Sequence, residues 1–185
     1  MCMYPKAIAI TNRHLCERDF LVQVERMAKA DVGAVILREK DLTEAEYRDL
    51  ASQVKEVLKP YETTLILHTQ VKVARQLNQR KIHLPMDMLR REDVSDFDLV
   101  GASTHSVEEA IEAEKLGANY VTASHIYPTD CKKGVEPRGL HFLEEVVSAV
   151  HIPVYALGGI TKERINAVLA TGASGYCMMS YFATL

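Results

Sequence analysis

Short runs of consecutive apolar residues punctuate the chain at Ala7–Ile10, Ala34–Leu37, Leu65–Leu67, Leu99–Val100, Tyr120–Val121, Val154–Leu157 and Tyr176–Met179. A weaker run, Ile82-His83-Leu84, lies between the third and fourth of these. Unbroken apolar runs of this length, bounded by turn residues, predict strands buried on both faces. The intervening segments carry apolar residues at helical spacing. Leu42, Ala45, Leu50, Val54, Val57 and Leu58 form one stripe. Val107, Ala110, Ile111 and Leu116 form a second, and Leu140, Leu143, Val146, Val147 and Val150 a third. Thr43-x-x-Glu46 and Ser106-x-x-Glu109 have the pattern of capping boxes, in which each partner satisfies an N–H the helix leaves open.

One junction recurs at Gly33-Ala34, Gly117-Ala118 and Gly172-Ala173, each closing a helical segment just before an apolar run. Glycine suits the left-handed cap of a helix, so the repeat implies a chain of like βα units. Strict alternation implies a parallel sheet covered by helices. Eight strand candidates favour a closed (β/α)₈ TIM barrel, expected as a single domain over residues 1–185. A doubly wound open sheet is the alternative, weakened by Thr11-Asn12-Arg13 standing where a G-x-G-x-x-G turn would follow the first strand. The barrel is small for its class, which averages roughly 250 residues. Only Ser180–Leu185 follows the eighth strand, so the last helix is expected to be short or missing. A flank left bare there would invite a second copy, and a homodimer is expected.

Composition narrows the function classes. The chain has 185 residues, 22 basic against 25 acidic, and a formal charge of -3, which argues against nucleic-acid binding through bulk electrostatics. No apolar run approaches the roughly 18 residues that span a bilayer, and the first residues lack the apolar stretch of a signal peptide. Cys2, Cys16, Cys131 and Cys177 form no C-x-x-C pair, which suits reduced thiols. A cytoplasmic protein without nucleic-acid or membrane partners is expected.

In such barrels, chemistry lies at the C-terminal ends of the strands. The residues that follow the apolar runs are Arg38-Glu39-Lys40, His68-Thr69, Ser103-Thr104-His105, Ser124-His125, Gly158-Gly159 and Met179-Ser180. Cations, hydroxyls and imidazoles therefore converge on one rim, which favours an anionic ligand. The loops after strands seven and eight are the usual phosphate site. Gly158-Gly159 would let backbone N–H groups approach a phosphate there, with Met179 and Ser180 alongside. A glycine pair also serves plain tight turns.

These residues resemble the thiamine phosphate synthase and TenI superfamily across nearly the whole chain. The telling pieces are Leu37-Arg38-Glu39-Lys40-Asp41, Gly101-Ala102-Ser103-Thr104-His105-Ser106, Pro128-Thr129 with Lys132-Lys133-Gly134, and Leu157-Gly158-Gly159-Ile160-Thr161. The resemblance implies a TIM barrel working in thiamine biosynthesis. The synthase branch joins a pyrimidine diphosphate to a thiazole phosphate with magnesium. Its pattern has Gln where this chain has Ile36, Asn-Asp at His68-Thr69, Gly-Gln at Pro85-Met86, Gly-Pro at Ser124-His125, and Thr at Cys131. The missing Asp removes a hard oxygen ligand for magnesium, with Asp87 the nearest other carboxylate.

The segment His125-Ile126-Tyr127 with Thr129-Asp130-Cys131-Lys132-Lys133-Gly134 instead resembles the TenI-type thiazole tautomerase, which aromatises a carboxythiazole phosphate without metal or cofactor. On that reading His125 is catalytic, because an imidazole can both take and return a proton near neutral pH. Gly158, Gly159, Met179 and Ser180 would hold the phosphate, and Arg38 or Lys132 the carboxylate. Arg38, Lys40, Ser103, Thr129 and Lys132 match pyrophosphate-contacting positions, which supports a thiamine phosphate synthase as the alternative, with magnesium as its cofactor. A non-catalytic barrel that binds a thiazole or thiamine phosphate is a further alternative. The ligand class expected throughout is a small phosphorylated thiazole.

The remaining candidates have blander readings. His125 could be a satisfied strand-end histidine. His68 is expected to be structural, His83 and His105 to hydrogen-bond near strand ends, and His14, His141 and His151 to lie at the surface. Arg38 and Lys40 could simply pair with Glu39 and Asp41. Cys131 lacks a base fixed by spacing and is not expected to be a nucleophile.

Overall fold

The computed structural model describes residues 6–30, 32–129 and 134–185. Eight strands alternate with helices: β1 Ala7–Ile10, α1 Phe20–Lys29, β2 Ala34–Leu37, α2 Glu44–Leu58, β3 Thr64–His68, α3 Val71–Gln76, β4 Lys81–Pro85 and α4 Met86–Leu89 lead to β5 Leu99–Thr104, α5 Val107–Lys115, β6 Tyr120–Ser124, α6 Gly139–Ala149, β7 Val154–Leu157, α7 Ile165–Ala170, β8 Gly175–Met178 and α8 Ser180–Ala183. The strands pair in parallel in chain order, and β1 pairs with β8 to close the barrel. All eight apolar runs became strands, including the weak one around His83.

Alternation along each strand sorts side chains into two cores. Ile8, Ile10, Ala34, Ile36, Ile66, Tyr120, Tyr155 and Cys177 fill the lumen. Their neighbours Ala9, Val35, Leu37, Leu67, Val121 and Ala156 belong to the cluster that also includes residues of the helices. Each fully buried aliphatic side chain contributes about 1.5–3 kcal/mol, which favours apolar residues on both faces of the strands.

The helices depart from the sequence pattern in detail. In α2 the buried residues are Tyr47, Ala51, Val54 and Leu58, whereas Ala45 is exposed. Tyr47, Ala51, Val54 and Leu58 share one helix face at i, i+4, i+7 and i+11, and Ala45, two residues before Tyr47, lies off that face, so the stripe is turned from its expected setting. In α5, Ala110 and Ala113 are buried and Leu116 is exposed at the helix end. Thr43 and Glu46 form the reciprocal capping box. At Ser106 only half of one forms: its hydroxyl accepts from the Glu109 N–H, while the Glu109 carboxylate accepts from the His105 N–H at 2.7 Å. Gly117 and Gly172 take the left-handed conformation that the repeated junction implies, at φ 90° and 87°.

The last helix is a single turn. Phe182 and Ala183 in α8 are buried, and the buried Gln23 amide on α1 donates to the Phe182 carbonyl at 2.6 Å. Val22 is the large apolar side chain of α1 that stays exposed. Among the described residues no helix is long and apolar enough to cross a membrane.

Candidate active site at the barrel mouth

The mouth begins with an ion-pair cluster. The Glu39 carboxylate is buried and accepts from the Thr11 hydroxyl at 2.7 Å, the Arg13 N–H at 3.1 Å and the Arg13 guanidinium at 3.1 Å. Arg13 also pairs with Asp41, whose carboxyl it holds, together with His14, well below the usual range. Arg13 thus takes both carboxylates that flank Arg38 and Lys40 in sequence. No ion pair of Arg38 or Lys40 forms among the described residues, so the alternative in which these two simply pair with Glu39 and Asp41 does not hold. The positive charge of Arg38 holds the Lys40 ammonium below its ordinary value. Arg38 is half-buried and faces the mouth; Lys40 is exposed and does not line the cavity.

A cavity of about 980 Å³ opens above the lumen. Arg38, Ser103, Thr129, Gly158, Gly159, Met179, Ser180 and His125 all line it. Lys132, Asp130, Cys131 and Lys133 lie outside the described residues. The sequence reading missed Lys162 and Arg164, which stand on the 3-10 turn Lys162–Arg164 after β7 and line the same cavity. Arg164 donates to the Gly159 carbonyl at 2.6 Å and stacks on Tyr127; Lys162 sits over the Tyr181 ring. The motif Leu157–Thr161 ends just before them, so a wider window was the available signal. Among the described residues, three lining cations, Arg38, Lys162 and Arg164, face one lining carboxylate, Glu163.

His125 follows the last residue of β6 and is almost fully buried, with an edge on the cavity. Its loop is pinned to β7. The Ile126 N–H donates to Leu157 O and the Tyr127 N–H to Gly158 O, both at 3.0 Å. The glycine pair is what permits this approach. Gly158 has φ 100°, and a Cβ there would overlap that of His125; Gly159 has φ 65°, and a Cβ there would lie 2.8 Å from Tyr127 Cβ. The pair therefore has a steric role beside any phosphate contact. His125 Nε2 lies 3.3 Å from the Val135 carbonyl, which can only accept. A proton on Nε2 leaves Nδ1 as the basic nitrogen of the neutral ring.

The floor is polar and neutral. His68 and His83 stack at 5.9 Å. Burial pushes the His83 pKa down to about 3 and also lowers that of His68, so both rings are uncharged at neutral pH. His83 hydrogen-bonds as expected, to the Tyr120 hydroxyl at 2.9 Å and the Ser103 hydroxyl at 2.8 Å. His68 is held from behind: its N–H donates to the Tyr47 hydroxyl at 3.1 Å, which donates to Leu37 O at 2.5 Å. Cys177 lies in the lumen, where burial raises its thiol far above the reactive range. Asp87 is exposed and bound to Arg91, away from the mouth. Among the described residues no three His, Cys, Asp or Glu side chains converge as a metal site.

Comparison with known proteins places this geometry. Residues 7–182 match the family model described as thiamine monophosphate synthase. A protein of Aquifex aeolicus named putative thiamine-phosphate synthase 2 is 38% identical over 181 residues, covering 96% of this chain and 97% of that protein. The thiamine-phosphate synthase of Clostridium novyi is 36% identical over 181 residues, covering 95% and 89%. The thiamine phosphate pyrophosphorylase structure of Pyrococcus furiosus superposes with a TM-score of 0.84 at 29% identity, covering 95% and 85%. This chain belongs to the thiamine monophosphate synthase and TenI family of (β/α)₈ barrels.

Proposed function

We propose that this barrel is an enzyme of thiamine biosynthesis that acts on a small phosphorylated thiazole, and that its chemistry is a proton transfer by His125. The observation that carries this reading is His125 itself, pinned at the cavity wall by the Gly158 region, with Nε2 3.3 Å from the Val135 carbonyl. In a tautomerisation to the aromatic thiazole, one ring C–H bond breaks as Nδ1 takes the proton, its electron pair joins the ring, the exocyclic double bond opens, and the same proton returns to the exocyclic carbon. Composition and charge are unchanged, and aromatisation drives the step. Arg38, with its neighbouring carboxylates bound by Arg13, is shaped to grip a carboxylate in two hydrogen bonds. The loops after β7 and β8, with Gly158, Gly159 and Ser180, suit the phosphate, and Lys162 and Arg164 add positive charge beside them.

The names of the relatives favour the other branch of the family, a thiamine-phosphate synthase, which is a transferase rather than an isomerase. Arg38, Ser103 and Thr129, all in the cavity lining, suit a pyrophosphate as well as a carboxylate. That chemistry needs magnesium, and the described mouth residues are a poor donor set. Glu39 is consumed by Thr11 and Arg13, and among the described residues Glu163 is the one lining carboxylate and no metal-binding group of three converges. The exposed Val22 beside the one-turn α8 suits a second copy, and a homodimer belongs to the same proposal.

A parallel turnover assay on wild type and His125→Ala separates the readings. Metal-free isomerisation of the carboxythiazole phosphate that collapses in the variant supports the tautomerase. Pyrophosphate release from pyrimidine diphosphate, thiazole phosphate and magnesium, without isomerisation, overturns it in favour of the synthase.

A further inference from the structure

Across the β4-β5-β6 side of the barrel, His83, Gly101 and Tyr120 stand in register on three neighbouring strands. The middle position is open because it is glycine. A Cβ on Gly101 would overlap the end of the Tyr120 ring and lie 2.5 Å from His83 Nδ1. The missing side chain lets the tyrosine reach across a whole strand and meet the imidazole at 2.9 Å. The other ring nitrogen, Nε2, meets Ser103 at 2.8 Å, and Ser103 lines the cavity. Tyr120 and His83 are both 2% exposed, so this chain of bonds leads from the dry lumen to the ligand space.

Its direction follows from counting protons. His83 is neutral and carries one ring proton, on either Nδ1 or Nε2. Were the proton on Nδ1, it would donate to Tyr120, whose own O–H would then turn into the lumen, away from its hydrogen-bond partner. His83 is the hydrogen-bond partner of that hydroxyl among the described residues. A buried donor left unmade is expensive, so the tyrosine donates and Nδ1 accepts. The ring proton then sits on Nε2 and donates to Ser103 Oγ. With its oxygen so engaged, the serine has its own O–H to give elsewhere, and the direction left to it is the cavity.

We propose that Tyr120, acting through His83 across Gly101, is a positioning residue that fixes Ser103 as a hydrogen-bond donor toward an anionic oxygen of the bound ligand, a carboxylate or phosphate oxygen. The ligand half of this statement rests on the functional reading above; the order of the protons does not. Reversal of the chain would turn Ser103 into an acceptor and repel the same oxygen, so the tyrosine selects for acceptor-bearing ligands without touching them.

The test is long-range ¹H–¹⁵N NMR of the histidine rings, with His83→Gln to assign the His83 signals, together with titration by inorganic pyrophosphate. Expected in the wild type are a His83 ring protonated at Nε2 and measurable pyrophosphate binding. Tyr120→Phe keeps the ring that fills the lumen. It should give a mixture of His83 tautomers and about 2- to 10-fold weaker binding, because only the share of molecules with the reversed tautomer loses the hydrogen bond to the anion. Ser103→Ala should weaken binding alike, and adding Tyr120→Phe to it should cost nothing further. A wild-type His83 protonated at Nδ1 overturns the proposal, and needs no variant to fold. So does wild-type-like pyrophosphate affinity in Tyr120→Phe, additive losses in the double variant, or a wild type that does not bind pyrophosphate. A wrong reaction assignment would show in the turnover assay while leaving the His83 tautomer as expected, so the two failures are distinguishable.

Discussion

Gly158 lies so close to His125 that a Cβ on it would overlap the histidine's own Cβ and stand 2.9 Å from its Cα. The glycine also has φ 100°, where an L side chain is strained. Gly158→Ala should therefore push the His125 loop off β7. Expected are a loss of about 2–4 kcal/mol in unfolding free energy and a fall in turnover approaching that of His125→Ala. Denaturant unfolding and the turnover assay check both. A variant with wild-type stability would show that the loop after β6 is not held at this contact.

Tyr47 is the link between α2 and the ends of β2 and β3, which deliver Arg38 and His68. Its hydroxyl bridges Leu37 O and the His68 N–H, and the side chain is buried. Tyr47→Phe preserves the packing but removes the hydroxyl that bridges two buried backbone groups. A cost of about 1–3 kcal/mol is expected in denaturant unfolding, more than removal of an exposed tyrosine hydroxyl would give.

Much of the barrel was legible because each strand is buried on both faces, so it announces itself as an uninterrupted apolar run. The run at His83 was weak for a physical reason: that strand turns an imidazole inward, where it bonds to Tyr120 and Ser103. Placement at strand ends brought Arg38, Ser103, His125 and the Gly158-Gly159 pair to one mouth. What could not be read was pairing across the chain. Arg13 belongs to Glu39, 26 residues away, and nothing in the spacing says so. The space that Gly101 leaves for Tyr120 likewise depends on strand register, which the sequence alone leaves open.

Arg13 should matter twice. Its guanidinium neutralises a carboxylate that is itself almost wholly buried, with side-chain exposures of 26% for Arg13 and 1% for Glu39. Arg13→Leu strands the Glu39 charge. A loss of about 3 kcal/mol is expected, toward the lower end for a broken buried pair because Thr11 and the Arg13 N–H remain as donors. Asp41 and Glu39 would then compete for Arg38, so inorganic pyrophosphate should bind more weakly as well. Calorimetric titration checks the second effect at a temperature where the variant remains folded; an unchanged affinity would mean Arg38 does not contribute to the anion site.

The two floor histidines give stability a pH dependence of known sign. Burial holds His83 near 3 and lowers His68, whereas an unfolded chain would titrate both near 6.5. Between those values the unfolded state binds more protons, so unfolding free energy rises with pH. Their contribution is complete above about pH 6.5 and is lost progressively as pH falls toward the folded-state values. Each histidine adds up to about 1.4 kcal/mol per pH unit in that window. Asp41, held low by Arg13, adds its own acid-labile share only below the usual carboxylate range. Urea unfolding between about pH 4.5 and 6 should thus show the histidine slope, and His83→Gln should remove about half of it. An unchanged slope in that variant would mean that His83 is protonated in the folded barrel, and would remove the neutral floor on which the orientation of Ser103 depends.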